Sequence, residues 1–482
     1  MPIEDDVLVI GGGIAGSMAA LAAARREPNA RVRLLSYKQS TLRHASGLID
    51  VLGYPPDAGA ANGSRTRPGG SGGTGPLADP FDALPDLPDG HPYERVGVDA
   101  VREGLALFDE VVGDAYAGDH TDANALVPTH GGTVKPTARY PTSSAAGLAS
   151  DPRNTLLVGF ETITDFDAPL AAAHLRAAGV PFDVEGVTLR FPGIKRDDAK
   201  VTRYARLLDR DESAEMDSGW GTETDAAGAG ETTVREALAD AVAPHLEDAG
   251  ADRVGFPAIL GADRPDEVRR DLEARLGVDV FEVPMGPPSL PGIRLEDLLY
   301  GTLKAEGVRL TTGVPVVDYE ANADGSGAGD GTRIDRVIVD RKGREVPYRA
   351  SQYVLATGGL VGKGVRSDRP QAVEGAEDDG ASNGQTGVVF EPIFDCHVAH
   401  SGDRYDWFDG DAFGDHPFAR FGLAVDHDLR PLDDGGRLEF SNLRAAGAVL
   451  GGYDFAAEKS GAGVSIATGY VAGDRAGEEA SG

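Results

Sequence analysis

Cysteine is nearly missing from the 482 residues: Cys396 stands alone, which excludes an internal disulfide and any CxxC pair for metal or redox exchange. Lysine is scarce, with eight of the 46 basic residues, and positive charge as a whole is deficient against 78 acidic residues, leaving −32. Such a surface repels nucleic acid and anionic lipid, so neither is an expected direct partner. Long apolar runs are lacking too. Ile14 to Ala24 is interrupted by Gly16 and Ser17 and falls short of the roughly 18 residues that span a bilayer. The acidic start, Met1 to Asp6, runs straight into an apolar tetrad and does not read as a signal peptide. A cytoplasmic chain is expected, associated with a membrane only peripherally and through partner subunits. Abundant carboxylate with little lysine fits a salt-loving cell, where the Debye length falls to about 3 Å at molar salt and self-repulsion is screened.

The chain is long enough for two or three domains. It is rich in glycine, 66 residues in clusters without a Gly-X-Y period. Val7 to Ile10 is a short apolar run, as in a strand buried in a parallel sheet. An alanine-rich helix follows to about Arg26, stopped by Pro28, and Val32 to Ser36 is a second strand. Helical spacing recurs over Arg95 to Val112, Ala168 to Ala178, Val234 to Ala249, Ile293 to Glu306 and Gly463 to Ala476. Strand-like segments are Thr155 to Phe160, Arg309 to Thr312, Pro315 to Glu320, Ile334 to Asp340, Tyr353 to Ala356 and Leu443 to Gly447. Pro55 to Pro92 and Asp209 to Glu231 read as inserted solvated loops, Asn322 to Asp330 as a hairpin loop and Glu374 to Asp379 as an acidic surface loop. Strand-to-glycine turns lie in the first and last thirds. A discontinuous nucleotide domain, 1–150 with 340–482, is therefore expected around an inserted substrate or cap domain at 151–339.

Gly11, Gly13 and Gly16 form G-x-G-x-x-G, enclosing Ile14 and Ala15, between the first strand and the first helix. The first glycine suits a tight turn, the second lets a phosphate approach the backbone and the third lets helix and strand pack closely. The helix N-terminus offers free N–H groups to an anion. A ribose-binding acid is expected some 20 residues on, but the second strand ends Ser36-Tyr37-Lys38. That departure leaves room for FMN, which has no adenosine, with FAD held by other groups as the alternative. Gln39 to Gly47 offers small residues and hydroxyls: Arg43 could neutralise phosphate, Ser46 and Gly47 could line a flat ring, and His44 could accept a proton. Gly358 and Gly359 after one strand, and Gly447, Gly451 and Gly452 after another, would bring backbone close to a planar ligand. Gly461, Gly463 and Val464 open the last helix, whose N–H groups could stabilise charge on a reduced flavin.

The chain resembles the B-subunit family of the anaerobic glycerol-3-phosphate dehydrogenases. The matching stretches are Val9 to Gly16, Gln39 to Asp50, Gly132 to Lys135, Val158 to Leu175, Val280 to Leu295 and Asn442 to Val464. The resemblance implies an FMN-associated chain working with an FAD-bearing A-type partner and an iron–sulfur C-type partner of the same complex. Together they would oxidise sn-glycerol 3-phosphate to dihydroxyacetone phosphate and deliver electrons indirectly to the quinone pool. Two alternatives stay open: another flavin-dependent dehydrogenase or reductase of a small anion, and a scaffold component that has lost flavin.

A dianionic substrate requires local cations in a chain this acidic. Lys135, Arg139, Lys195 and Arg203 are the candidates in the middle region. Lys135 and His44 are the weak catalytic candidates, and no base is assigned. His397 and His400 beside Cys396 lack a third metal-ligand partner at suitable spacing, so no metal is expected. The expected fold class is α/β, a glutathione-reductase-like flavoprotein with a Rossmann-type nucleotide domain and an inserted second domain.

Overall fold

The computed structural model describes residues 2–37, 40–56, 75–194, 200–213, 232–322, 332–368, 387–412 and 414–480. The cores of the expected insertions (57–74 and 214–231), the hairpin loop at 323–330, the acidic loop at 374–379, Lys38 and Lys195 lie outside the described residues. The chain forms two compact units: 1–41, 50–112 and 298–482 make the first, 42–49 and 113–297 the second.

In the first unit, strand β1 (Val7–Ile10) is wholly buried and leads into helix α1 (Ile14–Arg26) and strand β2 (Val32–Ser36). Arg25 and Arg26 stand in the last turn of α1, where cations complement the helix dipole. The helix stops at Glu27, the residue before Pro28. Helix α2 (Val98–Val112) is amphipathic, with Val101, Leu105, Phe108 and Val112 buried on one face. The spacing predicts one helix from Arg95, but Gly97 at φ +80° separates α2 from a short turn of helix, Pro92–Val96. Strands β3 (Arg309–Thr312), β4 (Gln352–Leu355) and β5 (Leu443–Ala445) complete a five-stranded sheet. Its order is β3-β2-β1-β4-β5 and every pair is parallel. This is the doubly wound order, with the strand direction of travel reversing between β1 and β4.

Helix α3 (Gly461–Ala480) closes the chain and lies against α1. Gly469, Gly473 and Gly477 recur every four residues and face the backbone of Ala15, Ala19 and Ala23, also four apart. A Cβ at these glycines would stand 2.5, 2.1 and 2.9 Å from the opposing carbonyl oxygens. Glycine costs a helix about 1 kcal/mol each, offset here by main-chain contact along the whole helix pair. A meander of Val316–Asn322, Arg333–Asp340 and Glu345–Arg349, with Ile3–Glu4 alongside the last strand, forms a separate, mainly antiparallel layer.

The expected solvated loop at 55–92 is corrected over its described part. Phe81, Leu84, Leu87, His91 and Pro92 are buried, and His91 caps the Pro92–Val96 turn by accepting from the Tyr93 N–H at 3.0 Å.

The second unit is built on a four-stranded parallel sheet in the order Asp279–Val283, Arg253–Pro257, Thr155–Phe160, Val184–Leu189. Helices Ala168–Ala178, Val234–Ala249 and Pro265–Leu276 supply Leu175, Leu238, Val242 and Leu272 to its core, with Asp167 and Thr233 as N-caps of the first two. Arg253 is fully buried within this unit: its guanidinium donates to Thr155 Oγ1 at 2.7 Å and to the carbonyls of Ala146, Leu148 and Asp151. Among the described residues no helix is long and apolar enough to cross a membrane.

Candidate functional site

The carboxyl ends of β1, β4 and β5 each run into a turn, and the three turns meet. Gly11 follows β1 at φ +126°, and a Cβ there would stand 2.0 Å from the Ala356 oxygen at the exit of β4. A Cβ on Gly16 would stand 1.9 Å from the Gly11 oxygen, so helix and strand close on each other through this pair. Gly13 is different. Its φ is −81°, and a Cβ would meet nothing nearer than Thr41 Oγ1 at 3.9 Å. It is the N-cap of α1 and provides no side-chain cap. The first helical bond is Ser17 N–H to the Gly13 carbonyl at 3.0 Å, and the amides of Ile14, Ala15 and Gly16 meet no acceptor among the described residues. Ser17, fully buried in the same turn, also has an Oγ without a partner. Three unpartnered amides beside one open glycine are the kind of helix start that suits an anion.

The chain's last third is drawn to this end. A Cβ on Gly447, at φ +76°, would lie 2.6 Å from Ala15 Cβ and 3.4 Å from Ser465 Oγ, so the β5 exit sits between the first turns of α1 and α3. The Gly447 N–H donates to buried Thr468 Oγ1 at 2.9 Å. Gly359 lies against the Ala448 carbonyl, and Gly358 turns at φ +81° beside Gly362. At the start of α3 the Gly463 amide donates to the Asp50 carbonyl at 2.7 Å, while those of Gly461 and Ala462 find no acceptor among the described residues. Other expected site positions have packing reasons of their own. Gly451 abuts the Arg420 and Gly422 carbonyls, Gly452 the Gly90 carbonyl, Gly463 the Tyr93 hydroxyl, and Val464 is buried in the core.

The remaining expected residues belong to the second unit. Arg43 is ion-paired with Glu296, with Asp297 4.0 Å away, and its carbonyl accepts from Ser289 N–H at 3.0 Å. His44 is exposed. Ser46 Oγ accepts from Leu48 N–H, and Gly47, at φ +80°, packs on Pro291, Pro141 and Tyr116. Lys135 lies on the strand Val134–Thr137, opposite Val127 in a hairpin. Arg139 is buried and donates to the Gly118 carbonyl at 2.9 Å, whereas Arg203 is exposed on the helix Val201–Arg210. In the first unit, Ser36 and Tyr37 end β2 without a carboxylate, Tyr37 being exposed.

A buried polar cluster escaped sequence reasoning. His91 Nδ1 accepts from Tyr93 N–H, so Nε2 carries the ring proton and donates it to Glu458 at 3.2 Å. Glu458 also accepts from Ser460 Oγ at 2.9 Å and from Asp454 N–H at 2.9 Å. Burial pushes the Glu458 carboxyl up, but these donors and His91 outweigh it and hold it below its usual value. Neighbouring Tyr453 is buried, its hydroxyl without a partner among the described residues and its acidity suppressed by burial. The cluster braces the turn 454–460 that leads into α3. The available signal was His91-Pro92 followed by Glu94, a helix-start pattern. Around Cys396, the Val389 N–H donates to His400 Nε2 and burial raises the thiol well above its ordinary value. No group of three His, Cys, Asp or Glu that could hold a metal occurs among the described residues.

The FAD-binding domain family matches residues 6–464. The chain is 58% identical over 478 residues to the probable anaerobic glycerol-3-phosphate dehydrogenase B subunit of Halobacterium salinarum, covering 99% of each. It is 31% identical to the anaerobic glycerol-3-phosphate dehydrogenase B subunit of Vibrio cholerae, covering 97% of this chain and 95% of that one. The corresponding figures for the B subunit of Pectobacterium atrosepticum are 27%, 96% and 96%. A relative from a halophilic archaeon agrees with the acidic, lysine-poor composition. The family match supports a flavin and names FAD, so the expectation of FMN as first choice is not supported. With an anion-accepting turn at the mouth of a doubly wound sheet, and with matches along nearly its whole length, the chain belongs to the FAD-binding domain family and to the B-subunit family of anaerobic glycerol-3-phosphate dehydrogenases, as the flavin-dependent component of a dehydrogenase.

Proposed function

We propose that the chain is the flavin-carrying B component of a complex that oxidises sn-glycerol 3-phosphate to dihydroxyacetone phosphate. In this reading it works with an A-type flavoprotein and a C-type iron–sulfur protein, which deliver the electrons to the quinone pool and hold the complex at the membrane. The observation that carries the proposal is the uncapped first turn of α1, whose amides of Ile14, Ala15 and Gly16 lack acceptors at the carboxyl end of β1 among the described residues. These amides would donate to a cofactor phosphate, with the helix dipole adding to the attraction. Gly13 leaves the approach open, and Gly11 and Gly16 set the turn's closeness to the sheet. Gly358, Gly359 and Gly447 would admit the cofactor's planar part, and the amides of Gly461 and Ala462 would face its electron-rich edge. Gly451, Gly452, Gly463 and Val464 complete the proposed set by shaping the turns. FAD is the proposed form, on the strength of the family match. Bound there, the flavin supplies a two-electron acceptor for the alcohol carbon. Among the middle-region cations, Lys135 is the one proposed to meet the substrate phosphate.

The test is spectroscopic. Purified chain should carry a flavin absorption spectrum, and chromatography of the released chromophore should give FAD. Bleaching by glycerol 3-phosphate in the assembled complex would support the substrate. A colourless chain that takes up no added flavin would reject the cofactor reading, and an assembled complex that does not bleach would reject the substrate.

A further inference from the structure

In the first unit, the described residues of 401–412 and 414–421 form an irregular segment whose aromatic side chains divide into two sets. Trp407 is buried, its indole N–H donating to the Ser401 carbonyl at 2.7 Å and its ring meeting Phe421 edge-on at 5.6 Å. That anchor fixes the turn Arg404–Trp407, and the residues flanking Trp407 point outward. Tyr405 is 72% exposed and Phe408 is 55% exposed, with the Phe418 ring tilted against the latter at 5.2 Å between centroids. Val388, 42% exposed, follows Gly387, which packs on Arg404 and Trp407, so it adds to the same apolar surface. Single exposed hydrophobics need no explanation, whereas a cluster presented by a pinned turn does.

The rim is mainly acidic. Asp403, Asp406 and Asp409 flank the aromatics along the chain and form no ion pair among the described residues, while Arg404 in the same turn is held over the Trp407 ring. Asp403 caps Tyr405 N–H, Asp406 accepts from Ser401 and Asp409 from Asp411 N–H, so these carboxylates are held in place. Aromatic anchors surrounded by polar groups are the anatomy of a protein interface. The sign of the rim selects the occupant. An anionic bilayer would meet fixed carboxylates around the inserting rings. A second copy of this chain would set the same aspartates, on a chain of −32, against each other.

We propose that Tyr405, Phe408 and Phe418 are the docking knob for an unlike subunit of the complex, whose contact face offers an apolar cleft rimmed by arginine or lysine. The inference rests on the reading that the chain works in a multi-subunit assembly, and adds where that assembly is made. Such knobs are hot spots when they fill a pocket, so removing two of them raises a dissociation constant by at least about tenfold.

The experiment uses the full chain with its two partner subunits. A Tyr405→Ser/Phe408→Ser double substitution should weaken assembly at least about tenfold while leaving the isolated chain's melting temperature and flavin content unchanged. A photo-crosslinking residue placed at 405 should link the chain to another subunit. Assembly by the double variant with unchanged affinity overturns the surface and leaves the multi-subunit reading standing. Links formed only between copies of this chain, or vesicle binding by the wild type that the variant loses, overturn it too. A wild-type chain that forms no complex with either partner overturns both.

Discussion

Replacing Gly13 by alanine separates a ligand-facing turn from a merely tight one. The backbone at Gly13 has an ordinary φ of −81°, and the new methyl would find its nearest atom at 3.9 Å. Folding is thus disturbed only by the poorer N-cap, less than about 1 kcal/mol, which moves the melting temperature of a chain this size by no more than about 2 °C. The methyl would, however, extend into the open space at the turn that carries the unpartnered amides of Ile14, Ala15 and Gly16. If a cofactor phosphate accepts from them, displacing it forfeits a charge-assisted hydrogen bond worth about 1.5–3 kcal/mol, so the dissociation constant rises about 10–150-fold. Gly16→Ala is the contrast. Its Cβ falls 1.9 Å from a carbonyl oxygen of the strand exit, and relief by backbone movement costs at least about 1–3 kcal/mol of stability. Apo-protein titrated with FAD by fluorescence quenching, alongside melts of the apo-proteins, reads both quantities. Equal flavin affinity for Gly13→Ala and wild type would refute the phosphate role, and a large loss of apo stability in Gly13→Ala would refute the openness of the turn.

Stability should depend steeply on salt, because −32 charges repel each other once screening is removed; a melting temperature equal in dilute buffer and multi-molar KCl would contradict this. In the second unit Arg294 donates to both oxygens of fully buried Glu282, at 2.7 and 3.0 Å. Arg294→Met leaves that carboxylate uncompensated and should cost about 3–5 kcal/mol, and adding Glu282→Leu should restore part of it; a single-variant loss below about 1 kcal/mol in chemical denaturation would dismiss the coupling. Glu391 is buried, and burial raises its carboxyl to about 7, against the backbone N–H groups of Phe394 and Ile393 that lower it. Because the folded-state value lies above the unfolded one of 4.5, the stability this group contributes is complete below about pH 4.5 and lost as pH rises through 7. Denaturation of wild type and Glu391→Gln should therefore diverge in the variant's favour between about pH 5 and 8, by up to about 3 kcal/mol. A difference that stays constant over that range would show that Glu391 does not titrate there.

The first strand, turn and helix were legible because a wholly apolar tetrad, Val7–Ile10, abuts three glycines and an alanine-rich helix with almost no competing pattern. The strand Thr155–Phe160 was legible for the same reason, being apolar along nearly all of its buried length. Two other strands of its sheet, Arg253–Pro257 and Asp279–Val283, were not, because each carries a charge into the core: Arg253 satisfied by carbonyls, Glu282 by Arg294 and Ser143. Pairing over long sequence distances hides such residues from any local pattern. The part of the 55–92 stretch beyond residue 74 looked solvated because Gly, Pro and Asp dominate it, yet its few apolar residues are the ones that pack. The α1–α3 contact is written plainly in Ala15, Ala19, Ala23 and Gly469, Gly473, Gly477, but two such stripes acquire meaning only when the fold sets them face to face.

The same sparing use of cations bears on how this chain would hold anions. Several of its arginines are already committed to protein acceptors: Arg253 to carbonyls, Arg444 to Gln352 and Glu479, Arg294 to Glu282 and Arg43 to Glu296. Planar guanidinium groups suit such multiple bonds, but a committed arginine is not available to a phosphate without breaking a pair. Backbone amides at a helix start carry no net charge to be neutralised and act at hydrogen-bond range. In molar salt, where ionic attraction fades within about 3 Å, that is the form of anion recognition least weakened by the solvent. Once salt is high enough to fold the chain, flavin affinity should thus change little with further KCl, whereas recognition resting on exposed lysine or arginine would weaken steadily; a steep decline in a titration between about two and four molar KCl would place the phosphate on side chains instead.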